Sequence, residues 1–151
     1  MRVALALALI AAPVFAGFVV AGPVGDRAPV AYTVRDGVEI PEPLAPAGDP
    51  ERGAAVAADP ERGGCLTCHA GPDGEGGSDA PDLAGIGARA SEGRLRLAVV
   101  HYGALDPDVT EHAFYEVRDL GEAVSEDAVG TTALTAQEVE DLVAWLASLR
   151  D

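Results

Sequence analysis

The chain has 151 residues, room for one domain and a processed leader. Its formal net charge is −15, with no lysine and ten arginines, which argues against nucleic acid or anionic lipid as a partner and fits a basic partner, life in high salt or, equally, general solubility. Aromatic residues make up only 5%, thin for a core of this size, so a buried planar cofactor would supply the missing apolar surface.

Met1-Arg2 is a short positive start, and no charge follows from Val3 to Gly25. Val3 to Ala12 forms an apolar region broken by Pro13, and small residues offer cleavage after Ala16 or Ala21. Residues 1–21 therefore read as a secretory signal peptide, with an uncleaved anchor helix as the competing reading. Residues 22–48 carry Pro29, Pro41, Pro43 and Pro46 and one alternating stretch from Tyr32 to Ile40, and read as an extended arm. Such an arm is either a tether or a surface that lies along a partner.

Residues 49–151 read as the folded domain. Asp49-Pro50-Glu51 has a helix-capping aspartate, a proline at the first helical position and an acid in the first turn, and predicts a helix through Ala58. Its Gly53, Ala54, Ala55, Ala57 and Ala58 let another helix approach closely. Residues 70–80 form a Gly/Asp-rich surface loop, and Ser91 with Glu92 opens a second helix through Leu95, Leu97, Val99 and Val100. Arg89, Arg94 and Arg96 beside it read as solvated charges. Residues 116–130 are acidic and poorly periodic, a surface excursion. Thr135-Ala136-Gln137-Glu138 is a capping box, and Val139, Leu142, Val143, Leu146 and Leu149 follow on one stripe. This last helix is expected to cross the first near Gly53 to Ala57, with Trp145 filling the space the small residues leave.

The chemistry lies in Cys65-Leu66-Thr67-Cys68-His69, which holds both cysteines of the chain. Two thiols three residues apart can each form a thioether with a haem vinyl group, and the adjacent His69 is placed to ligate the iron from the proximal side. A dithiol redox pair, half a zinc site and a structural disulfide are the alternatives. No thioredoxin-type strand–helix context surrounds the pair, a disulfide would not require the following His69, and zinc would need two further ligands, for which His101 and His112 lie too far apart at the usual spacing. The pattern predicts one haem c per chain.

The distal ligand follows by elimination. The only methionine is Met1, lysine is absent and both cysteines are committed to thioethers, which leaves His112, His101 or no strong ligand. His112 lies in a loop that can fold over the distal face. His101 closes the second helix, where its charge suits the dipole.

The strings Gly64-Cys-Leu-Thr-Cys-His-Ala70, Pro81-Asp-Leu-Ala-Gly-Ile-Gly-Ala-Arg89, Ser91-Glu-Gly-Arg-Leu-Arg96, Asp106-Pro-Asp108, Ala113-Phe-Tyr115 and Leu134 to Leu149 resemble SoxX. SoxX is the small monohaem cytochrome c subunit of the SoxAX complex of bacterial thiosulfate oxidation. The resemblance runs from about Ile40 to the C-terminus. It implies an all-α, class I-like cytochrome c fold around one covalent haem, in the periplasm, with Pro81 orienting His69 through its carbonyl. It also implies a SoxA-like dihaem or monohaem partner in a heterodimer, and transient contacts with a SoxYZ-like carrier and a soluble cytochrome c.

SoxAX is an L-cysteine S-thiosulfotransferase, so this chain would pass electrons without acting on the substrate itself. Arg89 is the candidate partner of a haem propionate. The methionine expected two positions before Ala113-Phe-Tyr falls on Glu111, so the loop must turn by one residue to present His112. A free periplasmic electron shuttle and a haem-based ligand-binding or sensor protein are the other readings.

Overall fold

The computed structural model describes residues 27–109, 113–117 and 130–151. The expected signal peptide, most of the acidic excursion and His112 lie outside the described residues. Among the described residues there are five helices and no strand: α1 (Pro50–Ala58), α2 (Cys65–Cys68), α3 (Ile86–Arg89), α4 (Glu92–His101) and α5 (Ala136–Ser148). A 3-10 turn, Tyr102–Ala104, continues α4. No helix among them is long and apolar enough to cross a membrane.

The three longer helices start where local capping chemistry places them. The Asp49 side chain accepts from the Glu51 and Arg52 amides, and Pro50 has no N–H to leave unpaired. The Ser91 side chain accepts from the Arg94 amide. Thr135 and Glu138 form the reciprocal capping box.

Helix α5 is the axis of the core and packs on α1, α4 and α3. Its buried Val139, Leu142, Val143 and Leu146 meet Val56 and Ala57 of α1 and Leu95, Leu97, Val99 and Val100 of α4 in one apolar cluster. The crossing with α1 occurs at Gly53, as the spacing predicts. A side chain there would collide with the Asp141 carbonyl and sit 2.7 Å from Trp145 Cβ. The absent Cβ lets the two backbones touch, and Trp145 is buried beside them.

One expectation is corrected. Arg96 is no solvated charge: it is 2% exposed. Its guanidinium forks onto Glu140 through Nε–Oε1 at 2.7 Å and Nη2–Oε2 at 2.8 Å, and Nη1 donates to the Ile40 carbonyl at 2.8 Å. Burial of a charge is tolerated here because an opposite charge and a carbonyl satisfy its donors.

The second half of the arm packs on the chain's own helices. Ile40 is fully buried and Leu44 nearly so. The Ile40 amide donates to the Gly93 carbonyl, the Leu44 amide to Glu140 Oε1, and the Asp49 amide to Asp141 Oδ1. The first half is more exposed. It turns at Asp36-Gly37, both at positive φ, between Arg35 and Glu39.

Candidate haem-attachment site

Helix α2 is one turn long. Gly64 enters it at φ 57°, a left-handed conformation that an L side chain resists, and His69 leaves it in extended conformation while its amide still donates to the Cys65 carbonyl at 3.0 Å. One helical turn therefore carries both sulfurs, and the histidine follows on extended backbone.

The glycine-rich loop folds back onto this turn. The Gly77 amide donates to Leu66 O at 2.9 Å, and the Asp79 and Ala80 amides both donate to Cys68 O at 3.0 Å. The carbonyls at the end of a short helix, otherwise left to solvent, are thus taken up by the loop. That return brings Pro81 beside His69.

His69 Nδ1 donates to the Pro81 carbonyl at 2.6 Å. A carbonyl only accepts, so the proton sits on Nδ1 and the lone pair on Nε2. Such a second contact commonly fixes the tautomer and ring orientation of a metal-binding histidine. The SoxX resemblance anticipated this contact.

The two thiols differ. Cys68 is exposed, whereas burial pushes the Cys65 thiol up to about 11. Leu66 within this turn, Leu83, whose amide donates to the Ala70 carbonyl at 3.0 Å, and Ile86 of α3 pack on the core while staying only partly buried. Paired sulfurs on one turn, an oriented imidazole and an unfinished apolar wall fit a covalently held porphyrin. Among the described residues, no group of three or more His, Cys, Asp and Glu side chains could hold a metal ion directly.

Among the described residues, Arg89 and His101 each have partners of their own. Arg89 ends α3 and its Nη1 donates to the Ala84 carbonyl at 2.8 Å. His101 ends α4, and its Nδ1 contacts the Glu116 carboxylate. Glu116 comes from the segment Ala113–Val117, which is bound to α4 where the Tyr115 amide donates to Val100 O at 3.3 Å.

The family profile described as Cytochrome c matches residues 50–150. The chain belongs to the cytochrome c family, whose members hold haem c through the cysteine spacing seen at Cys65 and Cys68. It is similar to a chain in the crystal structure of SoxXA from P. pantotrophus, with 29% identity, a TM-score of 0.68, and coverage of 84% of this chain and 98% of that one. Fold and sequence thus agree with a SoxX-type cytochrome having an electron-transfer domain. Comparison with curated proteins finds no match.

Proposed function

We propose that this chain is the electron-transfer subunit of a SoxAX-type complex in the periplasm. There it takes electrons from a SoxA-like cytochrome subunit while that subunit couples thiosulfate to a cysteine of a SoxYZ-like carrier. It then passes them to a soluble cytochrome c. What supports the reading most is the likeness to nearly the whole of a SoxXA chain, together with the attachment turn.

Haem c bound here supplies one-electron chemistry. Cys65 and Cys68 anchor it, and His69, held at Nδ1 by Pro81, offers Nε2 to the iron. Arg89 is the propionate partner in this reading, and His112 the distal ligand. The distal role is the less natural for His101, because it closes α4 rather than lying in a loop that can fold over the distal face.

The test uses exported, haem-loaded protein with a co-produced SoxA-type subunit. Thiosulfate and carrier should reduce this chain's haem only when the partner is present. Reduction without the partner, or none with it, overturns the assignment. In the same preparation His112→Ala should turn the low-spin EPR signal high-spin or shift it, and an unchanged spectrum removes His112 from the iron.

A further inference from the structure

The core is well closed, yet one strip is not. Among the described residues the exposed large hydrophobic side chains are Val30, Tyr32, Val34, Val38 and Val117, between 38 and 51% exposed. Four lie on residues 30–38 of the arm. Val117 joins Val30 and Tyr32 in lining an open groove of about 610 Å³. Single exposed valines are ordinary, but a clustered set on so highly charged a chain marks a contact surface.

The arm is fixed in place beneath this strip. The Val30 amide donates to Tyr115 Oη at 2.9 Å, the Tyr32 and Tyr115 rings lie 6.4 Å apart, and the Thr132 amide donates to the Arg27 carbonyl at 3.2 Å. From Ala31 to Val34 the backbone makes no hydrogen bond to any described residue, although it leads directly into the antiparallel bridge Arg35–Glu39. Backbone groups of this kind are what an added strand uses.

We propose that this strip is the docking edge for the partner cytochrome subunit: an apolar segment of the partner, flanked by Lys or Arg, runs along residues 30–38 and pairs with the backbone of residues 31–34. The inference rests on the SoxAX-type reading above. Charge selects the occupant. A second copy would bring −15 against −15. The ionisable groups at the strip are mainly acidic: Glu116, against His101, in the groove wall, and Asp36 and Glu39 at the turn, where Glu39 holds Arg35 at 3.0 Å. A heterologous, basic segment matches both the apolar row and the acidic border.

The experiment measures binding of the haem-loaded full chain to the SoxA-type subunit of the same organism, at low and moderate salt, together with amide hydrogen exchange. The wild type should bind, bind more weakly as salt rises, and slow exchange at residues 31–34 in the complex. Val34→Arg/Val117→Arg, with its haem spectrum and melting unchanged, should weaken binding by roughly tenfold or more. Should that variant lose its fold, Val38→Asn at the exposed turn takes its place.

Wild-type binding with unaltered affinity in the variant, or with unaltered exchange at residues 31–34, overturns the docking edge and leaves the partner reading standing. Failure of the wild type to bind overturns the partner reading and this inference with it. Self-association of the free chain that protects the same amides makes the occupant a second copy and overturns the proposal.

Discussion

Cys65 and Cys68 share one helical turn but not one environment. Cys65 opens α2 with its sulfur against buried surface, and the desolvation that raises its thiol to about 11 disfavours thiolate at neutral pH. Cys68 is exposed. In protein made without haem attachment, iodoacetamide should therefore modify Cys68 first. The rate at Cys65 should rise about tenfold per pH unit until it levels near pH 11, since only the thiolate attacks. Equal rates at both sulfurs at pH 8, read by mass spectrometry, would contradict the burial argument.

Asp141 shows the opposite balance. Burial alone would raise its carboxyl, but hydrogen bonds from Arg52, the Asp49 amide and Gln137 outweigh it and hold the group below the ordinary carboxylate range. A depressed folded value means stability that is present above the unfolded value and lost as pH falls through the folded one. Asp141→Asn should lower stability at pH 7 by about 1–2 kcal/mol. It should also flatten the fall in Tm below about pH 5 relative to wild type.

Between elements, two joints matter. At the α1–α5 crossing, Gly53→Ala places a methyl group into the Asp141 carbonyl and should cost about 1–3 kcal/mol in denaturant unfolding despite the gain in helix propensity. At the α4–α5 joint, Glu140→Ala leaves Arg96 buried without its counter-charge and the Leu44 amide without its acceptor. A loss of about 3–5 kcal/mol is expected, whereas Arg96→Met/Glu140→Leu should lose far less because neither charge remains.

The first joint was legible in the sequence and the second was not, for a physical reason. Helix starts are local: Asp49-Pro50, Ser91 and Thr135-Glu138 act within three residues, and the small residues of α1 announce a close contact. Arg96 and Glu140 sit on different helices, and nothing near either one tells a solvated charge from a buried one. At the site, the CxxCH spacing named the anchors, but the Pro81 contact depends on how the glycine loop closes and was accessible only through resemblance.

For the whole molecule, the question is where the domain begins. The family match starts at residue 50, and so does α1. Physically the body starts earlier. Ile40 and Leu44 lie in the same apolar cluster as α4 and α5, and the backbone of residues 40–49 satisfies Arg96, Glu140 and Asp141. The segment is thus a part of the core that happens to have no regular secondary structure, its prolines removing donors that a helix or ladder would require.

Residues 27–38 differ, because their side chains remain exposed and, among the described residues, their hydrogen bonds beyond the arm itself go to Tyr115 and Thr132. Two truncations separate the roles. Haem-loaded protein lacking residues 27–38 should keep a cooperative melt and its absorption spectrum, with Tm lowered by only a few degrees. Removing residues 27–48 exposes the apolar pocket of Ile40 and leaves Arg96 and Glu140 with unmet hydrogen bonds inside the core. The combined cost, several kcal/mol at about 25 cal/mol per Å² plus the orphaned polar groups, rivals the stability of a domain this small. That shorter protein should fail to melt cooperatively, and a sharp wild-type-like transition would mean that the arm contributes nothing to the core it lines.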